Sequence, residues 1–246
     1  MSITERVHES IVFDRRIRVL ARHLSQVIPR HVSVLDVGCG DGLLARSIGQ
    51  LRPDLAFQGI EVLLRPETHI EVDQFDGSTI PFSENSFDFV MMVDVLHHTD
   101  DPCVLLREAA RVATQSIVLK DHILTGWMSG PTLRFMDRVG NARHGVALPF
   151  NYWRPDQWTA AFERLGLEVE AWKERLGLYW WPASVLFDRR LHFVAKLVND
   201  GRESERVGED TDNDRQVDPV VLPGADDPCG AVCPEAAPTV TRSIGI

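Results

Sequence analysis

Val34-Leu35-Asp36-Val37-Gly38-Cys39-Gly40-Asp41-Gly42 is the stretch on which the reading of this chain turns. Val32, Val34, Leu35 and Val37 form a short apolar, largely β-branched run of the kind a buried strand needs. The run stops at Gly38, glycine recurs at every second position to Gly42, and Leu43 to Ile48 then has helical character. A strand that turns through glycines into a helix offers a ligand bare main chain and the unpaired N–H groups of the helix N-terminus.

Two ligand families use such a turn. A dinucleotide pyrophosphate is seated on the spacing G-x-G-x-x-G. Here the spacing is G-x-G-x-G, and Asp36 stands two residues before the first glycine. That carboxylate would repel a pyrophosphate and attract an ammonium or sulfonium, which disfavours an NAD-linked dehydrogenase. Leu55 to Glu61 reads as the next strand, after the Arg52-Pro53-Asp54 turn. Its terminal acid, Glu61, lies about 20 residues past the glycines, where a carboxylate can accept both ribose hydroxyls of an adenosine. Ile70 to Val72 is expected to be a short third strand, followed by Phe75-Asp76-Gly77-Ser78-Thr79-Ile80-Pro81-Phe82. Phe87 to Val93 is almost wholly apolar, as a central parallel strand should be, and runs into Asp94-Val95-Leu96-His97-His98.

The string Leu35 to Gly42 closely resembles the first motif of class I S-adenosylmethionine-dependent methyltransferases, and the chain looks most like their type 11 group. The resemblance covers Val32 to Lys120. The segment from Asp76 into the fourth strand is similar to the family's D-A-x-x-L-P-F stretch, and Val-Leu-His-His also occurs in the family at this place. The resemblance implies an α/β, three-layer Rossmann-like fold: a seven-stranded, mostly parallel sheet with a terminal antiparallel hairpin. It implies S-adenosyl-L-methionine as cofactor, held by Asp36, the loop of Gly38, Gly40 and Gly42, and Glu61. It further implies that Asp76 meets the adenine amino group, that the Gly77 backbone meets a ring nitrogen, and that Val93 lies beside the cofactor. One departure is a connection: Ala113-Thr114-Gln115 stands where the family has Pro-Gly-Gly.

The flanking segments complete the expected domain. Glu5 to Ile28 reads as an amphipathic helix, so residues 1–30 are expected to be a helical cap on a methyltransferase domain of residues 31–198. Asp101-Pro102 reads as a helix N-cap and first turn, with Leu105, Leu106, Ala109 and Val112 as the buried stripe. Ser116 to Lys120 is the fifth strand. A Pro-Cys pair after strand four is the nucleophile of cytosine-5 methyltransferases. Here Pro102-Cys103 continues into a helix, and Cys103 is read as a small helix residue. Residues 121–190 are expected to face the substrate: all six tryptophans and both tyrosines fall there. Within them, Pro131 to Val139 reads as a helix with Leu133, Met136 and Val139 inward, and 140–155 as a lid or binding loop. Pro155 to Leu165 is a further helix, and Leu167–Trp172 with Leu191–Leu197 form the hairpin. The aromatics, including Leu178-Tyr179-Trp180-Trp181-Pro182, could equally wall a ligand or fill the core. Residues 199–246 hold many acids, five prolines and no aromatic residue; this composition cannot order itself, so an acidic disordered tail is expected.

Bulk properties narrow the partners. A formal charge of −10 argues against nucleic acid, which needs clustered Lys and Arg. There is no apolar run of membrane-spanning length and no signal-peptide core. Four cysteines make no disulfide framework, so a reducing cytoplasm is expected. The acceptor is expected to be a small molecule, with O, N or C as the methylated atom; oligomeric state is not legible. Removing a proton from an acceptor needs a base, and His98 and His122, each just past a central strand, are the catalytic candidates. No metal is implied, because the His97-His98 pair cannot hold an ion alone, and Cys229 with Cys233 lacks a neighbouring histidine. The alternative function is a non-catalytic methyltransferase-like subunit that acts through binding.

Overall fold

The computed structural model describes residues 3–141 and 149–199. The middle of the expected lid and the acidic tail with Cys229 and Cys233 lie outside the described residues. The chain folds as α1 (Ile3–Val27), β1 (Ser33–Val37), α2 (Leu43–Leu51), β2 (Ala56–Glu61), β3 (Val72–Gln74) and β4 (Phe87–Val93). A single 3-10 turn at Leu96–His98 leads to α3 (Pro102–Val112), β5 (Ala113–His122), α4 (Ser129–Asn141) and α5 (Pro155–Arg164). The chain then forms β6 (Leu167–Lys173), α6 (Ala183–Phe187) and β7 (His192–Asn199).

The seven strands are ordered β3-β2-β1-β4-β5-β7-β6. β1 to β5 are mutually parallel, and β7 runs antiparallel to both β5 and β6. Alternation along each strand feeds two opposite cores. Leu35, Val37, Val90, Met92 and Leu119 face Leu105 and Leu106 of α3 and Trp158 and Phe162 of α5. Val34, Phe89, Met91 and Val118 face Leu20 and Leu24 of α1 and Ile48 of α2. A strand covered on both faces has no polar side to show, which is why β4 reads as an unbroken apolar run. Leu24, Leu35 and Ile60 are wholly buried, each worth about 1.5–3 kcal/mol of transfer free energy.

Several expectations are met and three are corrected. Asp101 caps α3 by accepting the Cys103 N–H at 2.9 Å, and Cys103 is a buried core residue whose thiol accepts from Arg164. The third strand begins at Val72 rather than Ile70, because Ile70 packs against Gly42 and belongs to the glycine loop's surroundings. Val139 is 54% exposed, not inward: the buried stripe of α4 passes through Leu133 and Asp137, and six residues of helical rotation carry position 139 off it. The fifth strand extends to His122, so that residue is in the sheet and pairs with His192 of β7.

Sheet order decides where a ligand can sit. The chain winds one way through β1, β2 and β3 and the other way through β4 and β5, leaving a crevice at the C-terminal ends of β1 and β4. Since β7 is antiparallel, its first residues arrive at that same edge.

Candidate active site

The glycine loop is bent as its composition requires. Gly38, Gly40 and Gly42 have φ of +69°, +63° and +76°, in the left-handed region. At Gly42 a Cβ would lie 2.5 Å from Ile70 Cγ1, so packing as well as backbone conformation excludes a side chain. At Gly40 a Cβ would meet nothing within 4 Å, so here the bare backbone faces open space.

Glu61 ties the loop to β2. Its Oε2 accepts the Gly40 N–H at 2.7 Å, and Oε1 accepts from Val62 N at 2.8 Å and Leu63 N at 3.3 Å. Asp36 is only 3% exposed; burial, and then the Glu61 charge, push its carboxyl up to about 8. Burial and the same two acids push the Cys39 thiol up, which removes it as a nucleophile. Further along this edge, Asp76 Oδ1 accepts from Ser78 N and Thr79 N, both at 2.7 Å, and from the Ser78 hydroxyl. The Thr79 and Ser78 bonds hold its carboxyl below the usual range. Gly77 has φ +85°, and a Cβ there would lie 3.2 Å from Val62 Cγ2. Thus Asp36, the loop, Glu61 and Gly77 form one continuous margin, while Val93 ends β4 on the far side of β1.

Beyond Val93 the structure assembles a buried polar cluster, of which the sequence singled out His98 and His122 as catalytic candidates and the His97-His98 pair as too few donors for a metal. β4 leads into Asp94 and the turn bearing His97 and His98; β5 ends in Lys120, Asp121 and His122; β7 begins with His192. α4 adds Asp137, and α1 adds Arg16. His97 Nδ1–H donates to Asp121 Oδ1 at 2.6 Å, and His97 Nε2 lies 3.4 Å from Asp137 Oδ2. Asp121 also accepts from Leu96 N at 3.0 Å and His122 N at 2.7 Å. Lys120 donates to Asp94, which Arg16 contacts at 3.3 Å, and Tyr152 donates its hydroxyl proton to Asp137. The His98 and His122 rings lie 4.0 and 4.4 Å from that of His97, centre to centre.

Charge is distributed unevenly over these histidines. Burial alone would lower His97, but Asp121 and Asp137 outweigh it and push it up to about 10, so His97 is an imidazolium. Burial, and then the His97 charge, lower both His98 and His122, which are therefore neutral and able to take a proton. Burial and then Lys120 hold His192 well below the usual range. Asp94 stays ionised against its burial because the Lys120 and Arg16 charges lie beside it. The tryptophans divide: Trp153 and Trp158 are in the core, whereas Trp127 and Trp181 are 90% and 81% exposed. The signal that could have located the whole cluster is Lys120-Asp121-His122 at the end of one strand beside Asp94 to His98 at the end of its neighbour.

The family profile described as a methyltransferase domain matches residues 9–171, more than half of the chain. The 27-O-demethylrifamycin SV methyltransferase of Amycolatopsis mediterranei is 24% identical over 180 residues, covering 66% of this chain and 64% of that protein. The ubiquinone biosynthesis O-methyltransferase of Xanthomonas oryzae pv. oryzae is 36% identical over 89 residues, 32% of this chain and 37% of that protein. The chain thus spans less than two thirds of the length of the curated relatives it matches. Among solved structures, the methyltransferase bound to the Haloferax volcanii Trm112 activator superposes with a TM-score of 0.58 at 16% identity, covering 78% of this chain and 93% of that one. The chain belongs to the methyltransferase domain family, as a class I S-adenosylmethionine-dependent member.

Proposed function

We propose that this protein transfers the methyl group of S-adenosyl-L-methionine to a hydroxyl oxygen of a small molecule. The observation that carries the reading is the joining of Gly40, a bare left-handed glycine facing open space, to the Glu61 carboxylate at the end of β2. In this reading the glycine loop receives the methionine portion, and Asp36 faces its ammonium or sulfonium charge. Glu61 exchanges its bond to Gly40 for the ribose hydroxyls, while Asp76 and the Gly77 backbone meet the adenine and Val93 flanks the site. The acceptor enters on the side of the polar cluster. Its oxygen forms a bond to the methyl carbon as the carbon–sulfur bond breaks, and the sulfonium leaves as a neutral thioether. The hydroxyl proton goes to a neutral imidazole, His98 or His122. Holding the oxygen in line with the methyl group and excluding water supply much of the rate. Oxygen is favoured as the acceptor atom because the Xanthomonas relative is named an O-methyltransferase.

The partner is thus a small molecule rather than nucleic acid, in keeping with the acidic composition, and the cysteine usage is in keeping with a cytoplasmic setting. Among the described residues no helix is long and apolar enough to cross a membrane. Calorimetric titration with S-adenosylmethionine and with NAD tests the cofactor, and mass spectrometry of a hydroxylated-metabolite mixture tests the transfer. Saturable binding of the first alone, with a methylated product, is expected. Equal or preferential binding of NAD would overturn the reading.

A further inference from the structure

We propose that His97, His98 and Asp137 form a binding site for a divalent transition-metal ion of the zinc class. The histidine pair is too small a donor set by itself, but α4 brings a third ligand from 39 residues further along the chain. One ligand atom from each of the three lies within 4.8 Å of the others. His97 Nε2 is 3.4 Å from Asp137 Oδ2. Metal–ligand bonds of about 2.0–2.2 Å in a tetrahedron place neighbouring ligand atoms roughly 3.4 Å apart.

Two further observations point to a ligand. His97 Nε2 and His98 Nδ1 are both buried and make no hydrogen bond, although an acid stands within reach of the first. A divalent ion that replaces the Nε2 proton of the His97 imidazolium would bond to all three groups together and release that proton. The outer shell is also built. Asp121 takes the Nδ1–H of His97 and so presents Nε2 toward the gap, and Asp121 is in turn held by two backbone N–H groups. Tyr152 orients Asp137 through its hydroxyl. Carboxylate behind histidine is the arrangement that fixes ring orientation and raises ligand basicity at metal centres.

A second grouping, Asp94 with His97, Asp121 and His122, also clusters. Its donors are already consumed: Lys120 occupies Asp94, and Asp121 accepts from His97 and two backbone groups. Two imidazoles and one carboxylate suit zinc, cobalt, nickel or ferrous iron better than magnesium or calcium, which prefer all-oxygen sites. Three protein ligands leave at least one position open, and His98 is partly exposed, so the ion has a route in. If the methyl-transfer reading holds, that position would take the acceptor oxygen and acidify it. His98 would then act as a ligand, and His122 would be the proton acceptor. This catalytic use rests on the proposed function, whereas metal binding itself does not.

The test uses the full-length chain freed of metal with a chelator. Cobalt(II) is added while visible absorption is followed, and zinc is titrated in competition with a chromophoric chelator. One equivalent of cobalt with ligand-field bands is expected, displaced by zinc. His98→Gln, at a partly exposed position, and Asp137→Asn should each weaken zinc by a hundredfold or more. Asp121→Asn should weaken it by roughly tenfold to a hundredfold. His69→Gln, remote on the loop beside Asp41, should change nothing. Melting curves without metal show whether each variant is folded, and S-adenosylmethionine titration of the same samples keeps the cofactor reading separate. Absence of a saturable equivalent in the native protein, or unchanged zinc affinity in folded His98→Gln, would overturn the proposal even where the cofactor still binds.

Discussion

Asp36→Asn isolates the electrostatics of the cofactor site. In the folded chain burial and the Glu61 charge keep the Asp36 carboxyl protonated up to about 8, against an ordinary value of 3.8. Between those two pH values the native state holds a proton that the unfolded chain has released. Stability therefore falls as pH rises through this window, by up to about 1.4 kcal/mol per pH unit, and levels off above it. The whole shift bounds the penalty at on the order of 5 kcal/mol. A cationic ligand reverses the sign, because it binds the ionised carboxylate and expels the proton. Affinity for S-adenosylmethionine should then rise by nearly tenfold per unit between about pH 5.5 and pH 7.5. Asn has the same shape and no proton to lose. In Asp36→Asn the ligand-free protein should be more stable than the native one near pH 8, with a flatter pH profile. Its cofactor affinity should be almost independent of pH and fall furthest behind the native protein at the alkaline end. Calorimetry in two buffers of different ionisation enthalpy counts the released proton directly, and thermal melting across the same pH range follows the ligand-free protein. A native affinity that is flat over this range, with no proton released, would refute the placement of a cation beside Asp36.

Three further substitutions probe the loop. Glu61→Ala removes the acceptor of the Gly40, Val62 and Leu63 N–H groups as well as the expected ribose contact. Cofactor affinity should drop by about tenfold to a hundredfold, from the roughly 1.5–3 kcal/mol of a hydrogen bond to a charged group, and melting should shift downward too. Unchanged calorimetric affinity would mean that Glu61 serves only the loop. Gly42→Ala places a Cβ 2.5 Å from Ile70 at φ +76°, so it should destabilise the fold by about 1–3 kcal/mol in denaturant unfolding. Gly40→Ala meets no neighbour, and should lower cofactor affinity more than it lowers stability.

What could be read from the chain alone was governed by neighbours in sequence. A β-branched run, alternate glycines and a helical stretch within about fifteen residues constrain φ, ψ and burial locally, so β1, the loop and α2 were legible. Glu61 stands at the end of β2 at a spacing set by one βα unit, whereas Asp76, just past β3, was picked out by the resemblance of its segment to the family's motif. The continuous apolar β4 announced a sheet covered on both faces, and the β6–β7 hairpin showed its alternation. The polar cluster was not legible in the same way. His98 and His122 could be singled out, but their setting depends on β4 lying beside β5, and β5 beside β7. Those pairings bring His192 against His122 from 70 positions away and fold α4 back so that Asp137 reaches His97. Nothing local distinguishes Asp137 from any solvated helix acid; its placement follows from the packing of α4, whose buried stripe also displaced Val139 from its expected inward position. Protonation went the same way. His97 and His98 are adjacent in sequence, yet one is an imidazolium between two carboxylates and the other is neutral. Chain order set the types of group available, while the tertiary arrangement decided which of them carry charge, because burial and the distance to a counter-ion are properties of the folded state alone.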